Sequence, residues 1–156
     1  MPDTATTLPF AGGEFRFWLP MPQVVAIERG PLANRHEGYP RSVFAMYDAI
    51  SSGLGIGDDG AVYVGGAEAL VGDVRNIILQ GLIGGASGTI DGDEIKVTPS
   101  IAADLVKQYA YPYANLTETM HLAYLILNAA IRGVQLKKKP VAAEESDQTN
   151  LSAKGE

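Results

Sequence analysis

The chain has 156 residues, 46% of them hydrophobic and 19% charged, with a formal net charge of −6 and no cysteine. That length fits one domain with a real core, and the missing cysteine excludes disulfides and thiolate metal sites. His36 and His121 are the chain's two histidines, too few for a histidine-rich metal site.

The charge has a location. Lys137, Lys138, Lys139 and Lys154 cancel Glu144, Glu145, Asp147 and Glu156, so residues 1–136 keep 8 basic against 14 acidic residues. Their basic residues are scattered singly, and a nucleic acid would be repelled more than attracted. MPDTATTLPF lacks the basic and apolar regions of a signal peptide. The run LAYLIL is cut off by Asn128 and Arg132, short of a membrane span. The expectation is a protein that meets neither nucleic acid nor membrane. The absence of cysteine fits a reducing cytoplasm.

In chain order, residues 4–19 read as a β-hairpin. Phe15, Phe17 and Leu19 alternate with Arg16 and Trp18, the period of a half-buried strand. Pro20 and Pro22 stop the strand, and Pro22 opens a short helix through Val24, Val25 and Ile27 that Gly30-Pro31 ends. A polar link, LANRHEGYP, leads to a helix over 41–54. Its apolar stripe is Val43, Phe44, Met46, Tyr47 and Ile50, with Asp48 off it, and core packing explains the stripe better than a ligand box.

Residues 53–60 spell GLGIGDDG, whose last six positions match the G-x-G-x-x-G pattern of dinucleotide sites. That pattern works only where a strand precedes it and a helix follows. Here a helix precedes, AVYVGG follows as a short strand, and Asp58 and Asp59 stand where phosphates would bind. A helix-capping glycine followed by a turn is the expected structure.

A second long helix is predicted over 67–83, with Val71, Val74, Ile77, Ile78, Gly81 and Leu82 on its core face and Asp73, Arg75, Asn76 and Gln80 off it. Glycine in a helix costs about 1 kcal/mol against alanine. The reason expected is close helix approach at Gly81 and chain reversal at Gly84-Gly85. Asp91-Gly92 within TIDGDEIKVT is a strong hairpin signal. Its acids do not hold the spacing of an EF-hand calcium loop.

Thr98 and Pro99 are a natural N-cap and first-turn residue for a third helix that carries Ile101, Ala102, Leu105, Val106 and Tyr109. The last helix, 116–133, is apolar almost all round from Met120 to Ile131, which implies burial on most sides or a partner interface. Gly133 caps it. Asn115-Leu116-Thr117 fits a glycosylation sequon but reads as this helix's start. Residues 137–156 have no periodicity and few large apolar side chains, the signature of a flexible polar tail.

The fold class expected is therefore α+β, mainly α. An N-terminal β-hairpin packs on a small helical bundle, with one folded domain at 1–136 and a disordered tail at 137–156. No catalytic constellation is legible. His121 lies in the most apolar helix, and Ser42, near His36, lacks a glycine-flanked elbow. No catalytic, cofactor or metal residue is assigned.

The order of pieces is familiar. Gly13-Glu14-Phe15, in the strand GEFRF, matches a "G-E-x-x-F" strand. Gly81, Leu82, Ile83, Gly84 and Gly85 match a helix closing on "L-I-G-G-G", with Ala86 in place of the third glycine. RSVFAMYDAISSGL and the stretch from AADLVKQYAY to NAAIRGV follow at similar spacing. The chain resembles the gene-transfer-agent-type phage tail assembly chaperone family, also filed with phage tail tube-like proteins. It departs from the family at the 31–40 link and in the added hairpin between Gly84 and Pro99.

The resemblance implies a non-enzymatic cytoplasmic chaperone in a bacterial host. Such a protein binds the tail tube protein, the tape measure protein or both during tail morphogenesis, needs no cofactor, and is absent from the finished particle. A homo-oligomer is compatible with it. Two rival expectations are a structural virion component of the tail tube or neck, and a small ligand-binding module.

Overall fold

The structure, a computed structural model, describes residues 2–31 and 40–134. His36 and the tail 137–156 lie outside the described residues.

Strands β1 (Thr6–Phe10) and β2 (Gly13–Phe17) form the N-terminal hairpin, in register from Thr6 opposite Phe17 to Phe10 opposite Gly13. Phe15 and Phe17 point inward and are buried, while Glu14 before them is exposed and Arg16 between them is half-buried. Burying each ring contributes about 2 kcal/mol. Helix α1 (Met21–Arg29) follows Pro20, and Gly30 ends it.

Helix α2 spans Val43–Ser51, where the Ser42 hydroxyl accepts from the Phe44 and Ala45 amides. It is shorter than the 41–54 expected. Phe44 is 64% exposed and faces away from the core, unlike the rest of its stripe. Leu54 already belongs to strand β3 (Leu54–Gly57), which pairs with β4 (Gly60–Tyr63) in a two-stranded sheet. The glycines of GLGIGDDG thus lie in a strand–turn–strand hairpin, with no helix behind them to face a phosphate. The expected helix-capping glycine is replaced by Ser52.

Helix α3 spans Val71–Gly85 rather than 67–83. Gly84 and Gly85 are inside it, and the reversal falls one residue later, on Ala86 in the left-handed region (φ 62°). Two further members of its predicted polar side are buried, Asp73 and Asn76, because α3 is enclosed on several sides by β2, α1, α4 and α5. Arg41 forms an ion pair with Asp73. The Asn76 side-chain amide donates to the Ala26 carbonyl at 3.4 Å and its oxygen accepts from Gln80 at 3.2 Å. Val71, read as a core residue, is instead half exposed at the helix start.

Strands β5 (Ser87–Ile90) and β6 (Asp93–Lys96) form the hairpin that Asp91-Gly92 predicts. Both turn residues have positive φ, 53° and 83°, as a primed turn requires. β5 also pairs with β2, so the two hairpins join in one antiparallel sheet of order β1-β2-β5-β6. Gly88 permits this: the Phe15 ring lies where its Cβ would be, 2.3 Å from the nearest ring carbon.

Helix α4 (Pro99–Tyr109) starts on the Thr98 cap as expected, and α5 (Leu116–Arg132) on Asn115, whose side chain accepts from the Glu118 amide. The α+β, mainly α class holds, with an N-terminal hairpin against helices. The core sits between the inner face of the four-stranded sheet and α3, and continues between α3 and α5 and between α2 and α5. Among the described residues no helix is long and apolar enough to cross a membrane.

Candidate functional site

Gly81, Gly84 and Gly85 meet the Arg16, Phe17 and Trp18 positions in a junction between β2 with its exit and the end of α3. Gly85 lies against the Arg16 carbonyl and Gly84 against that of Trp18; a Cβ on either would sit 1.8 Å and 2.0 Å from those oxygens. The close approach is hydrogen-bonded. The Trp18 amide donates to the Gly81 carbonyl at 3.1 Å, and the Arg16 guanidinium donates to the Gly85 carbonyl at 3.0 Å. Arg16 also stacks over the Trp18 ring, whose Nε1 donates to the Thr4 hydroxyl at 3.0 Å.

Gly81 lies one turn earlier, where its Cβ would meet Phe17 and Ile126 at 3.1 and 3.2 Å. Leu82 is fully buried and Ile83 partly so. At the other side, Gly13 abuts the Thr89 carbonyl, Glu14 pairs with Thr89, and Phe15 pairs with Gly88. Gly13, Phe15, Gly81, Leu82, Gly84 and Gly85 are thus held in close packing, while Glu14 is exposed.

A polar cluster ties α2 to α5. The Tyr47 hydroxyl donates to Asn128 Oδ1 at 2.7 Å and accepts from Arg132 Nε at 3.1 Å; the Tyr124 hydroxyl lies 3.5 Å away and the two rings stack. Burial pushes the Tyr47 phenol up, but hydrogen bonding from Tyr124 and Arg132 outweighs it and sets the group below the ordinary tyrosine value. The hydrogen bond with Tyr47, with burial, pushes Tyr124 up. No residue in this cluster is a nucleophile with a base and an oxyanion donor beside it.

His121 is half-buried on α5. Among the described residues no group of three or more histidine, cysteine or carboxylate side chains could hold a metal ion.

One surface is open instead. The β3–β4 hairpin, the start of α3 and the start of α5 wall an apolar groove of about 340 Å³, lined by Tyr63, Ala69, Val71, Val74, Leu116 and Met120. Val62 and Val64, on either side of Tyr63 in the chain, are also exposed. They lie over Gly55 and Gly57, where a Cβ on either glycine would be 2.8 Å from a valine methyl. Sequence reasoning missed this groove. Its one legible signal is the apolar run AVYV, which a two-stranded sheet cannot bury on both faces.

No protein-family model matches the chain, and no curated protein or solved structure matches it. The site's meaning therefore rests on its own geometry. The junction holds the fold together, while the groove is a surface that a partner can cover.

Proposed function

We propose that this chain is a phage or gene-transfer-agent tail assembly chaperone, a non-enzymatic protein of the bacterial host cytoplasm. It binds the tail tube protein, the tape measure protein or both during tail morphogenesis and is left out of the finished particle. The observation that carries this reading is the β2–α3 junction. The two stretches on which the resemblance rests, far apart in the chain, pack on each other through the glycines that define the motif. The open apolar groove supports it further, since a chaperone needs surface that covers apolar surface of its client.

The longest described strands have five residues, which weighs against a tube subunit built from long ring-closing strands. The test is co-expression with tail tube and tape measure proteins and a pull-down at low and high salt. Retention of at least one of them at both salts is expected, because apolar burial persists where exposed charge pairs are screened within about 8 Å. Retention of neither under any condition removes the reading. In purified particles the protein should be absent or sub-stoichiometric by mass spectrometry; a stoichiometric amount would make it a virion component.

A further inference from the structure

A separate recess of about 350 Å³ opens where the β1–β2 turn, the end of α4 and the start of α5 meet. Its lining reaches the core at Ile78 and at Thr119, whose hydroxyl is already spent on the Asn115 carbonyl at 2.9 Å.

Three aromatic rings from three parts of the chain line it: Phe10 of β1, Tyr109 of α4 and Tyr113 of the link to α5. Tyr109 meets Phe10 edge to face with centroids 6.2 Å apart, and Tyr113 in the same way at 5.5 Å. Neighbouring rings thus stand at 74° and 78°, and their electron-rich faces point in different directions. Among the described residues Tyr113 meets no further ring and is 76% exposed, so one of its faces stays open.

Glu118 is the one charged side chain among the described lining residues. It stands at the third position of α5, and its amide donates to the Asn115 side chain at 2.8 Å. The reciprocal bond of a capping box, from the Asn115 amide to the carboxylate, is not made among the described residues, nor is an ion pair. Helix-dipole complementarity accounts for a carboxylate at this position, but not for the rings around it. Packing on Phe15 and Phe17 accounts for Phe10, but not for Tyr113.

We infer that this recess takes an arginine side chain of a partner protein. A guanidinium stacks flat on an aromatic face and donates in a fork to a carboxylate, so both features are used at once. A lysine ammonium carries the charge without the planar stack, and a quaternary ammonium has no hydrogen to donate to Glu118. Tyr113 and Glu118 are both exposed. That open mouth suits a side chain on a partner backbone better than a free small molecule, which a pocket normally encloses. The excess of acid over base in residues 1–136 acts in the same direction. The inference goes beyond the chaperone reading and needs from it only that a protein partner exists.

The test uses the full-length, isotope-labelled protein and three peptides that differ at one central position: arginine, lysine or citrulline, the uncharged isostere of arginine. Titrated to about 10 mM, the arginine peptide should give saturable amide NMR shifts around Phe10, residues 110–114 and Glu118. It should bind about three-fold tighter than the lysine peptide and about ten-fold tighter than the citrulline peptide. Glu118→Gln should weaken the arginine peptide about ten-fold and leave the citrulline peptide unchanged. Tyr113→Leu keeps an apolar side chain but removes the ring face, and should weaken the arginine peptide about three-fold. Both residues are exposed, so the fold should survive, with circular dichroism as the check.

Equal affinity of the arginine peptide and either comparison peptide overturns the inference. So does the absence of saturable shifts at the recess, or a variant at Glu118 or Tyr113 that binds as the parent does. N-acetylarginine amide bound more tightly than the peptide would assign the recess to a free small molecule and overturn it as well. The two readings can fail separately. An arginine peptide held in the recess, with no tail protein retained, removes the chaperone and leaves the recess. Tail proteins retained by a chain that shows no arginine-dependent shifts do the reverse.

Discussion

A methyl group on Gly85 would sit 1.8 Å from the Arg16 carbonyl oxygen, and one on Gly84 2.0 Å from that of Trp18. Both obstacles are backbone of the N-terminal segment, so the helix would have to retreat and weaken the Trp18–Gly81 and Arg16–Gly85 hydrogen bonds. Gly81 faces side chains rather than backbone, a ring carbon of Phe17 and methyls of Ile126, which would have to give by a few tenths of an ångström. Urea denaturation should therefore rank the three. Gly84→Ala and Gly85→Ala should each cost about 2–3 kcal/mol, and Gly81→Leu roughly 1–3 kcal/mol, through overpacking. Gly81→Ala should stay within about 1 kcal/mol of the parent, since alanine's helix preference offsets its tight contact. A Gly85→Ala variant as stable as the parent would remove the close-approach account. Tyr47 is the second residue whose single atom matters. Tyr47→Phe deletes the hydroxyl shared by Asn128 and Arg132 and should cost about 1–2 kcal/mol in the same assay.

Among the elements, the β3–β4 hairpin is the least supported. It pairs only with itself, apart from the four-stranded sheet, and Ile56 on β3 is 81% exposed. A two-stranded ribbon alone is marginal in water, and Gly55 and Gly57 lie against Val62 and Val64 of its own partner strand and exit. Helix α3 is the opposite case, with Ile77, Ile78 and Leu82 fully buried. Amide hydrogen exchange should therefore run faster in Leu54–Gly57 and Gly60–Tyr63 than in the middle of α3, because local opening follows buried apolar contact. Occupation of the groove by a partner should slow the hairpin amides. Equal protection of hairpin and α3 in the free protein would contradict this ordering.

For the molecule as a whole, every residue of the described core precedes Val134, whose amide donates to the Asp3 carbonyl at 2.8 Å. That bond joins the end of α5 to the N-terminus and closes the described part of the chain on itself. Removing residues 137–156 should therefore leave the urea midpoint unchanged, and m as well, since the surface exposed on unfolding stays the same. A lower midpoint in the truncated protein would show that the tail contributes to the fold.

How far the sequence alone reaches depends on how local the deciding interaction is. The Phe15–Phe17 alternation, the Thr98 cap, the Asp91-Gly92 turn and the start of the last helix at Leu116 were legible, because each rests on residues within a few positions of one another. The resemblance likewise drew on Gly81 to Gly85 without knowing what they touch. Three things were decided only by tertiary structure. The two hairpins became one sheet because Gly88 leaves room for the Phe15 ring across the strands. Asp73 and Asn76 became interior because α3 is surrounded, so its polar side met Arg41 and the Ala26 carbonyl instead of water. Gly84 and Gly85 lie within a helix pressed onto the segment around Arg16 and Trp18, rather than in a turn. The groove belongs with these three, since Tyr63, Val71 and Leu116 meet only when the hairpin and two helix starts converge. Periodicity reports which face of an element is apolar; which neighbour covers that face, or whether any does, depends on residues far away in the chain.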